Sequence, residues 1–438
     1  MTQPAAFILS CGDELLFGHT IDTNAAWLAG ECTGLGWRVV GHVTVGDVLQ
    51  DIVAALREAS RTADVVIMTG GLGPTEDDRT RYAIAEALGV HLAEDSDAIR
   101  EIEAVFRRCR RPMRDVNRVQ ALIPEGAVRI ANPNGTAPGI RAVLGNATIY
   151  AMPGVPREMR EMFQRTVKPE MQGKNGDRRE VLRRLRLFGM GESEISEAIR
   201  HLMHERDNPE VGTTVAEGVI TVRIYARGDT IGGATAIADS AEREIRRILG
   251  DTVFGTDGET PASAAVKLLK EKHAFLCTAE SCTGGMIAAN VVDVPGASAV
   301  FMEGTVTYSN ESKIAKLGVD PAIIGRFGAV SRETVVAMAE GALKNAGFAS
   351  RPAYSLAVTG IAGPDGGTPE KPAGTIWIGC ASLDEKGSGA TRTMLANVVA
   401  DRCGVRLYAS HAALDLLRRT IAGLPFAKPV ETTEWRVG

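Results

Sequence analysis

The run Ala279-Glu280-Ser281-Cys282-Thr283-Gly284-Gly285-Met286-Ile287 reads as a strand-to-helix turn. It places Ser281 near the mouth of an apolar helix, where unpaired backbone N–H groups can receive an anion or an oxyanion. A serine in such a place is more often a plain helix cap, so the turn needs a partner before it implies acyl transfer. A Ser-His-Asp arrangement lacks its base, because His273 and His411, the histidines of this third of the chain, stand in no motif. Lysine is the alternative. Tyr308-Ser309-Asn310-Glu311-Ser312-Lys313 supplies Tyr308 and Lys313 just after a strand-like run over 305–308.

A second chemistry is written near the start of the chain. Asp13-Glu14, Asp47 and Asp77-Asp78 lie beside expected strand ends, and the last pair follows the turn Gly70-Gly71-Leu72-Gly73-Pro74. Hard oxygen ligands beside a backbone N–H cradle suit metal-assisted phosphoryl chemistry, with Mg²⁺ bridging a diphosphate. The same spacing also lets Asp77 and Asp78 simply cap a helix starting near Thr80. Thr69-Gly70-x-x-Gly73-Pro74 has a local echo in Thr359-Gly360-x-x-Gly363-Pro364, again after an apolar strand. Glycines at a strand end let backbone N–H groups approach a phosphate or carboxylate.

These residues need elements to hold them. The chain has 438 residues, of which 45% are hydrophobic and 24% charged, so about three globular domains are expected. Aromatics at 5% leave the cores to aliphatic side chains. The first domain, 1–168, alternates strands (6–10, 37–40, 63–69) with helices (24–35, 48–59), which implies a parallel sheet covered on both faces. A polar stretch at 172–177 leads into a small α+β module, 169–256. There a strand at 181–188, a helix at 192–204, a hairpin around Glu217-Gly218 and a helix at 233–249 are expected. Alternation returns over 257–424, with strands at 275–278, 355–359 and 375–379, and 425–438 reads as a loose tail.

Several classes fall away. Seven cysteines without a C-x-x-C pair argue against a disulfide framework or a cysteine-rich zinc site and fit reduced thiols in the cytoplasm. No apolar run reaches the roughly 18 residues of a membrane span, and the N-terminus lacks the pattern of a secretory signal. A net charge of −5 gives no support to a general nucleic-acid binder. His201-x-x-His204 and the basic run Arg178–Arg186 read as solvated surface.

The motifs together carry a resemblance. Ser10-x-Gly12-Asp13-Glu14-Leu15-Leu16-x-Gly18, Asp22-Thr23-Asn24, Thr69–Asp78, Asn132–Gly139 and Pro153-Gly154-Val155-Pro156 resemble the molybdopterin-binding-like domain of the CinA family, the competence/damage-inducible proteins. Glu280–Gly285, Val294–Ser298, Tyr308-Ser309-Asn310 with Lys313, Gly328–Ser331, Thr359–Pro364 and Glu370–Thr375 resemble its C-terminal nicotinamide-nucleotide amidase domain. The middle segment resembles, by position, the family's KH-like module. Its one Gly-x-x-Gly string, Gly173-Lys174-Asn175-Gly176, precedes the first strand and so stands in the wrong place for clamping RNA. The fold implied is two parallel-sheet α/β domains joined by a small α+β module.

The resemblance also implies roles. Ser281 is the nucleophile, Lys313 its general base and Tyr308 an assistant. Thr283, Gly284 and Gly285 hold the oxyanion, Thr359 and Gly360 line the pocket, and Arg402 meets the phosphate. In the first domain Gly70, Gly71, Gly73, Thr75, Asn134, Gly135 and Thr136 bind phosphate. Asp47, Asp78, Glu14 and Asp77 hold a divalent metal (Mg, Co or Mn), and the amidase step needs no cofactor. The substrates implied are nicotinamide mononucleotide (NMN), deamidated to the nicotinate nucleotide, and ADP-ribose-type diphosphates; the chain is expected as a homodimer without nucleic acid or membrane. Two rivals stand beside this. One is a non-catalytic partner of DNA uptake or recombination, and the other an N-terminal pterin or nucleotide binder without turnover.

One physical requirement follows. A lysine near its reference value of about 10.4 is charged at pH 7 and accepts no proton, so a catalytic base must titrate about 3 pH units lower. Burial supplies such a shift. Lys313 is therefore expected to lie buried within hydrogen-bonding reach of Ser281.

Overall fold

The computed structural model describes residues 3–174, 179–203, 208–347, 351–426 and 431–436. The chain divides into two compact units, Met1–Leu182 with Arg227–Thr235, and Arg183–Ala226 with Ala236–Gly438.

The first unit is built on a six-stranded sheet. Its strands are β1 (Ala5–Cys11), β2 (Arg38–Val45), β3 (Val65–Thr69), β6 (Val128–Ile130), β7 (Gly139–Leu144) and β8 (Ala147–Met152), in the order β2-β1-β3-β8-β7-β6. A separate short pair, β4 (Leu92–Glu94) and β5 (Leu122–Pro124), is antiparallel. The central strands β3 and β8 are buried throughout and β1 at every position but Phe7, with Ile8, Leu9, Val65–Met68 and Ala147–Met152 between helix layers on both faces. That continuous burial explains apolar runs without alternation. The sheet is mixed rather than parallel: β1, β2, β3 and β8 run together, but β7 opposes β8 and β6 opposes β7. The reversal is local, since only Gly145-Asn146 separates β7 from β8 and a two-residue loop closes only a hairpin.

The small module carries a four-stranded sheet, β10-β11-β9-β12, from β9 (Arg179–Leu187), β10 (Glu210–Ala216), β11 (Val219–Gly228) and β12 (Val253–Thr256). The expected hairpin is there, turning at Glu217 and Gly218 with φ of 55° and 76°. Helices span Glu192–Ala198 and Ile231–Leu249. The stretch 172–177, expected as a linker, begins inside the helix Lys168–Lys174, and its last three residues lie outside the described ones. His204 of the histidine pair, Gly176 of the Gly-x-x-Gly string and Arg178 of the basic run also lie outside them.

The C-terminal domain repeats the first plan. Its sheet runs β14-β13-β15-β16-β17-β18, from β13 (Phe275–Glu280), β14 (Phe301–Val306), β15 (Ala353–Gly360), β16 (Thr375–Leu383), β17 (Ser388–Asn397) and β18 (Glu431–Arg436). Only β13, β14 and β15 are parallel; β16, β17 and β18 are antiparallel to their neighbours, so this sheet is mixed too. β18 corrects the reading of 425–438 as a loose tail. Residues 431–436 pair along the free edge of β17, where unpaired N–H and C=O groups would otherwise face water. The long helix Arg402–Ala422 packs on this sheet and is buried along most of its length. Among the described residues no helix is long and apolar enough to cross a membrane.

Candidate functional site

The C-terminal site grows out of the end of β13. This central strand is buried between β14 and β15, and its ladder continues one residue further through Ser281 N–H to Val358 O at 3.0 Å. The chain then turns through Gly284 and Gly285, whose φ of 63° and 95° favour glycine, into the helix Met286–Val292. Ser281 ends up 8% exposed at the strand tip.

Lys313 comes from the other side. The helix Asn310–Leu317 is capped by the Ser309 hydroxyl, and Lys313 sits in its first turn. Side chains on a helix lean toward its N-terminus, so the ammonium reaches back toward the end of β14. Its Nζ donates to Thr307 O at 2.8 Å, to Tyr308 O at 3.1 Å and to Ser281 Oγ at 3.1 Å, and the side chain is 1% exposed. Burial pushes its pKa below the ordinary lysine value, against weaker pulls upward from Cys282 and Glu311. Two carbonyls take two N–H groups. The third direction faces the serine, and in the neutral amine that direction is a lone pair aimed at the hydroxyl proton.

The other expected residues gather with some changes. Thr359 is buried at the end of β15 and donates to Ala329 O at 2.8 Å. Gly360 lies against the serine turn, where an added Cβ would stand 3.2 Å from Cys282 Sγ. Arg402, at the start of the helix Arg402–Ala422, donates to Gly363 O at 2.8 Å and to the Tyr308 hydroxyl at 3.0 Å. Tyr308 is 62% exposed; its hydroxyl accepts from Arg402, and its backbone carbonyl accepts from Lys313.

The expected oxyanion donors also change. Gly284 N–H is held by Ser281 O at 3.1 Å, and Gly285 N–H by the Glu280 carboxylate at 2.9 Å. Glu280 also accepts from Ile287 N at 3.0 Å and Ala288 N at 2.9 Å, filling the helix mouth with its own charge. Arg406, four residues after Arg402 on the same helix face, donates to Cys282 O at 3.1 Å and Thr283 O at 2.9 Å. Neither role was read from the sequence. For Arg406 the one available signal was its one-turn spacing from Arg402.

The N-terminal site is a cleft of about 540 Å³ at the strand ends of the first sheet. Gly70, Gly71, Gly73, Glu14, Asp47, Asp77, Asp78 and Thr136 line it, joined by Asn24, Gln120 and Glu158, which sequence reading did not assign. Gly70 must be glycine, since its φ is 99° and a Cβ would collide with Cys11 O. Arg81, 1% exposed, donates to Gly73 O at 3.0 Å and to Leu72 O, holding the turn from behind. The N–H groups of Gly71 and Leu72 have no hydrogen-bond partner among the described residues.

Not every expected residue faces this cleft. Asn134 and Gly135 turn their N–H groups onto Asn132 Oδ1, at 3.1 and 3.0 Å, and so brace their own loop. Thr75 hydrogen-bonds Asp78 through both N–H and hydroxyl, at 2.8 and 2.5 Å, and Gly73 N–H reaches the same carboxylate at 2.7 Å. Asp78 is therefore first a loop brace.

As a metal site the cleft is incomplete by itself. Among the described residues no three His, Cys, Asp or Glu side chains gather as a cage. Yet Asp47 is pushed above its ordinary value, by burial first and also by the nearby charges of Asp13, Glu14 and Asp77, against the pull of a hydrogen bond from Asp13 N–H. A cation would relieve that charge. Asp47 and Glu14 fit the pattern in which Mg²⁺ keeps several waters and takes one or two carboxylates plus substrate phosphates.

Comparison with known proteins agrees along the chain. Residues 258–421 match the family description "CinA C-terminal domain", 182–255 "Damage-inducible protein CinA KH domain" and 7–173 "Probable molybdopterin binding domain". A CinA-like protein of Frankia casuarinae is 40% identical over 440 residues, covering 98% of each chain. The chain belongs to the CinA family. A second CinA-like protein, from Kosmotoga olearia, is 38% identical over 421 residues, 96% of this chain and 99% of that one. The crystal structure of the CinA protein from Thermoplasma acidophilum is 34% identical, covers 39% of this chain and 98% of its own, and has a TM-score of 0.36. This CinA member thus combines a molybdopterin-binding-like domain, a KH-like module and a CinA C-terminal domain.

Proposed function

We propose that the C-terminal domain is a serine–lysine amidase converting NMN and water to nicotinate mononucleotide and ammonia. The observation that carries this reading is the amine of Lys313, 1% exposed, at 3.1 Å from Ser281 Oγ. In the neutral state Lys313 takes the Ser281 proton as Oγ attacks the carboxamide carbon. The C–N bond then breaks, Lys313 returns the proton to the leaving nitrogen, and ammonia departs. Water, deprotonated by the same amine, hydrolyses the ester and restores Ser281. Arg402 at the rim supports the phosphate of a nucleotide, because a guanidinium pairs with it through charge-assisted hydrogen bonds. NMN as the substrate rests on the resemblance of the motifs.

For the N-terminal cleft the reading is hydrolysis of ADP-ribose-type diphosphates. The unpaired N–H groups of Gly71 and Leu72 support a phosphate, and Asp47 with Glu14 would hold a divalent cation. Such a cation offsets charge on the phosphoryl oxygens. A second reading is a nucleotide or pterin binder without turnover, supported by Asp78, whose carboxylate is taken up by the Gly73 and Thr75 N–H groups of its own loop. AMP formation from ADP-ribose with Mg²⁺, Co²⁺ or Mn²⁺ separates the two. Ammonia release from NMN, lost in Ser281→Ala, tests the amidase; its absence with Ser281 intact returns the domain to a non-catalytic role.

A further inference from the structure

The turn that presents Ser281 is intrinsically loose. It contains two adjacent glycines in the left-handed region, and its own hydrogen bonds are few: Gly284 N to Ser281 O at 3.1 Å and Met286 N to Thr283 O at 3.3 Å. Two opposite charges hold it from outside. Glu280, 1% exposed, takes the N–H groups of Gly285, Ile287 and Ala288, and Arg406 takes the carbonyls of Cys282 and Thr283. Bonds to charged groups are the stronger kind, and a buried carboxylate accepting three N–H groups leaves little freedom.

The clamp has a consequence for the reaction. It removes the helix mouth and Gly285 from any role as oxyanion donors. The N–H groups of Cys282 and Thr283 remain: among the described residues neither donates a hydrogen bond, and beside them is the Cys282 thiol, which burial pushes up to about 11. A neutral thiol is a weak acceptor. An oxyanion would displace it, and the N–H after a nucleophile is where other hydrolases place their first donor.

Building on the serine–lysine reading, we propose that Glu280 and Arg406 are positioning residues, a paired clamp that fixes the Ser281 turn so that Cys282 and Thr283 N–H receive the oxyanion. Alternation along the strand turns Glu280 away from Lys313, so the clamp acts on geometry rather than on the base.

The test uses Glu280→Gln and Arg406→Met in the full chain. Ser281 is titrated with phenylmethanesulfonyl fluoride, and turnover of NMN is expressed per titrated site. Glu280→Gln puts an amide NH₂ opposite an N–H group, and Arg406→Met frees two carbonyls. Each should lower kcat per site and the labelling rate about 10²-fold, the scale of a lost oxyanion donor. KM should stay within about threefold, and the pH at which activity rises should not move, because the base is untouched. A purely structural role would reduce the number of titratable sites and leave turnover per site at the wild-type value. That result overturns the proposal, as does a shifted pH midpoint. A wild-type protein that labels at Ser281 but releases no ammonia refutes the substrate and leaves the clamp to be judged by labelling rate.

Discussion

The Tyr308 hydroxyl accepts from Arg402 at 3.0 Å, while the Tyr308 main-chain carbonyl accepts from Lys313 at 3.1 Å. One residue thus serves both halves of the site. Its backbone orients the amine, and its side chain stands at the rim beside the guanidinium.

That division separates two substitutions. Tyr308→Phe leaves the carbonyl that orients Lys313 in place and removes only the acceptor of Arg402, so it should keep kcat within about threefold. Arg402→Ala should raise KM for NMN about tenfold or more, the worth of one charge-assisted contact near 1.5–3 kcal/mol. Steady-state kinetics on both variants checks the pair; a collapse of kcat in Tyr308→Phe would contradict it.

Lys313 sets the pH dependence. Burial holds its pKa below 10.5 in the folded chain. The reactive form is neutral, so kcat/KM should rise with pH through the folded-state value and then level. Stability follows the same sign. Between the lowered value and 10.5 the unfolded chain binds the additional proton, so the folded state gains stability with rising pH, by at most about 1.4 kcal/mol per pH unit. Below that window both states are protonated and the slope vanishes. Urea titrations across pH should show this slope in the wild type and not in Lys313→Met.

A purely structural prediction concerns the far end of the helix Arg402–Ala422. Asp415 accepts from Arg418 at 2.7 and 2.9 Å and from Arg419 at 2.8 Å, and all three are buried. Asp415→Asn removes the charge while both guanidinium groups stay buried. The expected loss is about 3–5 kcal/mol, read as a lower urea midpoint.

In the N-terminal cleft Asp78 and Asp47 should fail differently. Asp78→Ala removes the carboxylate that holds the Gly73 and Thr75 N–H groups and the Thr75 hydroxyl, and so loosens the turn. Diphosphatase activity should fall at every metal concentration. Asp47→Asn should instead raise the concentration of Mn²⁺ needed for half-maximal activity, with the turn intact. Metal titrations of both variants distinguish these outcomes.

Much of this arrangement was readable in the residues. Apolar runs such as 63–69 and 355–359 announced buried strands, and the glycines that follow them marked where ligands approach. The Ser281–Lys313 pairing followed from the resemblance together with the need for a dry base. The antiparallel halves of both sheets were not read, because a strand buried on two faces looks alike in either direction. Gly145-Asn146, a two-residue hairpin loop, was the missed clue. Glu280 could not be read either: its acceptors' partners lie five to eight residues on, and only the turn brings them back. β18 was missed since its pairing depends on the open edge of β17, a partner distant in the sequence.

The central claim is a serine activated by a buried neutral lysine, and ammonia release from NMN measures it most directly. Wild-type protein should release one ammonia per nicotinate nucleotide formed, with Ser281→Ala and Lys313→Met each slower by about 10³-fold or more. Near-normal release by Lys313→Met in a folded protein would contradict the account.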